Sequence, residues 1–155
     1  MIEQFKGISE EEFDQLKSAV SLITVLIAGA DGSIDRKEKE WAEKVTNIRS
    51  YSLPDGLKDF YLEVGQDFQE RLDAYIDEYA GEAEIRNRNI SQELSKLNSL
   101  FPKIQDRETA IALYESFISF ARHVARASGG FLSWGSINVH EKRLMSLEMI
   151  DPVED

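Results

Sequence analysis

The sequence predicts an all-α fold, and three observations carry that reading. Apolar residues recur at spacings of three and four over long stretches, capping patterns precede those stretches, and no run of β-branched residues alternates with period two. With 155 residues, 42% of them apolar and 10% aromatic, the chain can build a core. The expected architecture is a bundle of about six to seven helices forming a single domain over 1–155, with a frayed tail at 151–155.

The first helix is the clearest. Ser9 and Glu12 form a capping-box pattern, and Glu10 and Glu11 suit the positive end of the helix. Behind them Phe13, Leu16, Val20, Ile23, Ile27 and Ala30 form one apolar stripe, which Leu22, Val25 and Leu26 widen. A helix apolar over so wide an arc belongs in the centre of a bundle, and it should end around Gly29. A second helix is expected from Asp35 through Trp41, Val45 and Ile48, broken by Ser52-Leu-Pro-Asp-Gly56. Leu57, Phe60, Tyr61, Val64, Phe68, Leu72, Tyr75 and Tyr79 continue at helical spacing, with Gly65 as a bend or a boundary between two helices. Asn89 with Gln92 marks a further start, carrying Leu94, Leu97 and Leu100 up to Pro102. Asp106 caps a long helix with Leu113, Phe117, Phe120, Val124 and Ala127 on one face, stopped by Gly129-Gly130. The last helix is expected to begin at Asn138 and to carry Leu144, Leu147 and Ile150.

Charge and composition narrow the function. The net charge is −11, from 29 acidic and 18 basic residues, which argues against nucleic acid as a partner because phosphate binding depends on clustered Lys and Arg. The chain has no cysteine, so disulfides, thiolate metal sites and a Cys nucleophile are excluded. Its start lacks the basic and apolar pattern of a secretory signal, and Leu22–Ala28 is far shorter than the ~20 apolar residues of a transmembrane segment. A cytoplasmic protein is the expectation.

Two octapeptides match each other: Gly32-Ser-Ile-Asp-Arg-Lys-Glu-Lys39 and Gly135-Ser-Ile-Asn-Val-His-Glu-Lys142. Each follows a long apolar helix ended by glycine and precedes a shorter helix. Helix-capping physics accounts for the pattern without any ligand. Asp35 or Asn138 caps the helix, Glu38 or Glu141 reaches back to the cap's amide, and Ile34 or Ile137 serves as a hydrophobic staple. A second reading is a cation site. Asp31, Gly32, Ser33, Ile34, Asp35 and Glu38 reproduce the spacing of the second half of an EF-hand loop, whereas Ile27 and Gly29 occupy the positions of its first two carboxylates. That argues against a high-affinity EF-hand and leaves a weak Ca²⁺ or Mg²⁺ site at Asp31, Asp35 and Glu38. The second copy is poorer, because Trp134 and Asn138 replace the two aspartates.

With Ala30-Asp-Gly-Ser-Ile-Asp-x-x-Glu38 after one long helix, and Gly-Ser-Ile-Asn-x-x-Glu141 after Phe117–Ala127, the chain resembles the tellurite-resistance TerB-like family. The resemblance implies an all-helical domain of two pseudo-repeated helix-turn-helix corners, linked to stress responses, with acidic loop residues holding a divalent cation. Position by position that role falls on Asp31, Asp35 and Glu38, and more weakly on Asn138 and Glu141. The second unit departs from the pattern: Ala127-Ser-Gly-Gly-Phe-Leu-Ser-Trp-Gly135 stands where a compact Ala-Asp-Gly is expected.

That longer loop brings Phe131, Leu132 and Trp134 between glycines, either tucked over helix ends or presented as partner-binding anchors at Phe131 and Trp134. Asp67, Glu70, Asp73 and Asp77 share one helix face, either solvated or turned to a basic partner. His123 and His140 do not form a His-Glu-x-x-His ligand pair, and no serine elbow or phosphate loop is present. No catalytic motif is found. The expected function is therefore a non-enzymatic binding or scaffold domain with unidentified protein partners. Two alternatives are a metal-dependent hydrolase using bundle carboxylates and a structural homodimer.

Overall fold

The structure is a computed structural model, and it describes residues 2–28, 40, 44, 46–47, 53, 55–127 and 146–154. Among these residues it is all-helical, with no strand. Four helices are described along their length: α1 (Glu10–Ala28), α2 (Asp55–Glu78), α3 (Ala83–Ser95) and α4 (Arg107–Ala127). Short 3-10 turns at Glu3–Phe5, Lys96–Ser99 and Phe101–Lys103 flank them.

The start of α1 is the expected capping box. The Ser9 amide donates to Glu12 Oε1 at 3.0 Å and the Glu12 amide donates to Ser9 Oγ at 3.1 Å, so two amides at the helix start are satisfied reciprocally. From Ser18 to Ala28 every residue of α1 is buried. The wide apolar arc therefore does place this helix centrally, in contact with α2, α3 and α4. Thr24 keeps its hydroxyl satisfied within the helix by donating to the Val20 carbonyl at 2.9 Å.

An aromatic cluster joins the elements around α1. Phe5 meets Phe13 edge-on at 5.3 Å and stacks on Phe60 at 5.5 Å, and Phe60 continues to Phe117 of α4 at 6.4 Å. Phe5 reaches this cluster because Gly7 adopts φ +110°, and a Cβ there would stand 2.1 Å from the Lys103 carbonyl oxygen. The same approach lets the Gln105 amide donate to the Lys6 carbonyl at 3.0 Å.

Four expectations are corrected. The interruption of α2 is not at Gly65 but at Asp67, which has non-helical angles (φ −134°, ψ 18°). The helix read from Asn89 begins six residues earlier, at Ala83 after the extended Glu82; Asn89 is exposed in mid-helix, and the buried side is Arg86, Asn87, Ile90 and Leu94. A polar start hid that turn, because Arg86 and Asn87 do not read as core positions. The last helix does not carry Ile150: residues 146–150 form a turn in which Leu147 takes φ 49°, although Leu147 and Ile150 are buried as expected. Finally, the segment after it is not frayed. The Asp151 amide donates to Asn98 Oδ1 at 2.7 Å, Arg107 Nη2 donates to the Glu154 carbonyl at 2.7 Å, and Val153 packs on the core.

Candidate functional site

Asp31, Asp35, Glu38, Phe131, Trp134, Asn138 and Glu141 lie outside the described residues, as does His140. What the structure does describe is the pair of helices that lead to them. α1 ends at Ala28, three residues before Asp31, and α4 ends at Ala127, four before Phe131. The two helices pack on each other. Each has a fully buried apolar side: Val20, Ile23 and Ile27 on α1, and Phe117, Phe120 and Val124 on α4. No helix among the described residues is long and apolar enough to cross a membrane.

Polar chemistry within the described residues centres on Arg71. Its Nε donates to Asp67 Oδ2 at 2.9 Å, Nη1 to Ser18 Oγ at 2.5 Å and Nη2 to Asp14 Oδ1 at 2.5 Å. One guanidinium thus holds α2 to α1 just after the interruption at Asp67. The hydrogen bond from Arg71 holds the Asp14 carboxyl below the usual aspartate range, against a smaller opposing effect of burial. The same partners, Asp14 first, raise the pKa of Arg71. A charge that is already multiply bonded is poorly placed for proton transfer, so this cluster reads as a fastener.

The expected acidic strip is thereby split. Asp67 turns to Arg71, and Asp73 accepts a hydrogen bond from Gln69 at 3.1 Å, while Glu70 and Asp77 are exposed. Among the described residues no group of three or more His, Cys, Asp or Glu side chains is arranged to hold a metal ion. His123 is half-buried on α4. A cleft of about 140 Å³ between α1, α2 and α3 has Ala19, Leu22, Leu94 and Leu97 among its walls and Asp14, Tyr75 and Glu93 beside them.

A second feature lies just beyond the C-terminal end of α3, in the 3-10 turn Lys96–Ser99. Asn98 donates through Nδ2 to the Met149 carbonyl at 3.0 Å and accepts from the Asp151 amide at 2.7 Å. One side-chain amide therefore reads both a carbonyl and an amide of the segment 149–151. Beside it is a pocket of about 180 Å³ lined by Asn98, Phe101, Pro102 and Arg107 on one side and by Asp151, Pro152 and Val153 on the other. Glu154 comes near Tyr114, whose hydroxyl pKa is raised by burial first and by the Glu154 charge second.

Sequence reasoning missed both Arg71 and Asn98. For Arg71 a local signal existed, the Asp67–Arg71 spacing of four, but its bonds to Asp14 and Ser18 span more than fifty positions. For Asn98 there was no local signal, because its partners lie 51 and 53 residues away. No family model, curated protein or solved structure matches this chain.

Proposed function

We propose that the chain is a non-enzymatic helical binding domain of the TerB-like type, with two pseudo-repeated helix-turn-helix corners and a weak divalent-cation site in the first of them. The observation that carries this reading is the placement of the two matched octapeptides. They begin four and eight positions beyond the ends of α1 and α4, each a long helix with a buried apolar side, and those two helices pack together. A duplicated corner on paired central helices is the arrangement the resemblance implies, and it brings the count of helices toward six or seven. The donor chemistry also fits. Asp31, Asp35 and Glu38 supply hard carboxylate oxygens around a glycine turn, which suits Ca²⁺ or Mg²⁺ rather than a softer ion. Ordering that loop by a cation would fix the angle at which the following helix leaves α1, and this is a scaffold role rather than a chemical one.

Calorimetric titration of metal-stripped protein with Ca²⁺, Mg²⁺ and Mn²⁺ tests the reading, repeated on Asp31→Ala and Glu38→Ala. Saturable heat for one of the ions, lost in both variants, is the expected result. Absence of heat for all three at millimolar concentration would remove the cation site.

A further inference from the structure

The cleft bounded by α1, α2 and α3 combines an apolar floor with carboxylates from two separate helices. We propose that it is a docking site for a lysine side chain carried on a basic segment of a partner protein. The cleft gives a partner chemistry to the binding role proposed above and rests on that role, but it uses none of the loop residues assigned to the cation.

Size and polarity fit a lysine stem. The cleft holds about 140 Å³, and an apolar cavity of roughly 150 Å³ is enough to take up a benzene ring. A lysine side chain is of that order, and its methylenes are apolar. Ala19 and Leu22 of α1, Leu94 of α3 and Leu97 of the following 3-10 turn offer them walls that are themselves buried. A stem packed there with its charged head at the surface is the ordinary behaviour of a long cationic side chain.

The head meets acceptors on different helices. Asp14 of α1 engages Arg71 and Lys17 through Oδ1 alone, and Glu93 of α3 engages Lys96, itself on the rim, through Oε2 alone. Asp14 Oδ2 and Glu93 Oε1 have no partner among the described residues. Tyr75, half-buried on α2, adds a ring and a hydroxyl at the same mouth. Single acceptors on different helices suit the rotatable donors of an ammonium better than the flat fork of a guanidinium, which pairs best with both oxygens of one carboxylate. That selects lysine over arginine.

Further carboxylates favour a basic segment over a free amine. The ring of Tyr79 lies 6.1 Å from that of Tyr75, and its hydroxyl pKa is raised by burial first and then by the charges of Glu78 and Glu93. Glu78 and Glu11, the latter one turn before Gln15 of the cleft, are both exposed. In a chain of net charge −11 these groups draw in a lysine-rich segment, whereas a lone amine gains only the contacts inside the cleft.

Calorimetry on metal-stripped protein keeps this test separate from that of the cation loop. The probes are an acetylated and amidated peptide of alternating alanine and lysine, the same peptide with arginine or uncharged norleucine at each lysine, and n-butylammonium. The lysine peptide should bind saturably and at least about fivefold more tightly than the arginine peptide, and the norleucine peptide should give no heat. Glu93→Gln should weaken binding about fivefold, the worth of one near-surface charge contact, and Ala19→Met, which fills the floor, should abolish it. If Ala19→Met loses its helical circular dichroism, Glu93→Arg at the mouth takes its place and should likewise abolish binding. Equal affinity for the lysine and arginine peptides, or binding untouched by these substitutions, would reduce the interaction to diffuse charge and overturn the proposal. So would n-butylammonium binding as tightly as the peptide, which would make the ligand a free amine. Absence of heat from the lysine peptide at millimolar concentration overturns it outright, whatever the titrations with Ca²⁺, Mg²⁺ and Mn²⁺ give.

Discussion

Replacing Arg71 with methionine keeps an aliphatic stem against the helices and removes the guanidinium that fastens α2 to α1. Its side chain is 19% exposed, and its partners differ in how much they are screened: Asp14 is 55% exposed, Asp67 36%, and Ser18 is buried. The two ion pairs are therefore discounted as near-surface pairs, together about 1 kcal/mol. The Ser18 hydroxyl loses its partner inside the interface, for about 1 kcal/mol more. Arg71→Met should destabilise the chain by roughly 2 kcal/mol, read from urea unfolding at pH 7 with an unchanged m-value. Acid dependence supplies the second arm. The folded-state pKa of Asp14 is depressed, so its contribution is fully present above the ordinary aspartate value of 3.8 and is lost as the pH falls through the lower folded value. The gap between wild type and variant should then narrow as the pH is lowered below about 3.8. A difference under about 0.5 kcal/mol at pH 7, or a gap that widens in acid, would refute the fastening role.

Gly7→Ala should cost roughly 2 kcal/mol or more, since it combines a positive φ with a Cβ aimed at the Lys103 carbonyl; thermal unfolding would show it as a lowered midpoint. Phe60→Ala removes the ring shared by the Phe5, Phe13 and Phe117 contacts, with an expected loss of about 3–5 kcal/mol in denaturant titration. Ser9→Ala breaks one half of the capping box and should cost about 1 kcal/mol, while Ser9→Asp should recover most of it; equal stability of the two variants would count against the cap.

Local rules and long-range partners divide what could be read in advance. The capping box at Ser9 and the wide stripe on α1 were legible because both arise from residues within one or two turns of each other. The Asp106 cap, whose Oδ1 accepts from the Thr109 amide at 3.3 Å, was legible for the same reason. The start of α3 was not, because Ala83-Glu-Ile-Arg-Asn-Arg carries no apolar period and its burial of Arg86 and Asn87 is a tertiary fact. Gly65 was the wrong suspect for the interruption of α2. A glycine weakens a helix through backbone entropy, and among the described residues a Cβ there would meet Asn47 Oδ1 at an ordinary 3.5 Å. The actual break at Asp67 coincides with the carboxylate that Arg71 draws toward itself, a contact that depends on where α1 lies.

The same division separates the loop motif from the contact at the C-terminal segment. The loop motif at Asp31, Asp35 and Glu38 is contiguous, so a sequence can display its donor set in full. The contact that holds the C-terminal segment is assembled from Asn98, Arg107 and residues 147–154, and only the folded chain brings them together. Asn98 also explains why a short acidic tail, which by composition should have frayed, is held. One amide side chain satisfies two backbone groups that no helix or strand serves, and two buried side chains, Leu147 and Ile150, supply the apolar contact that composition alone undercounts.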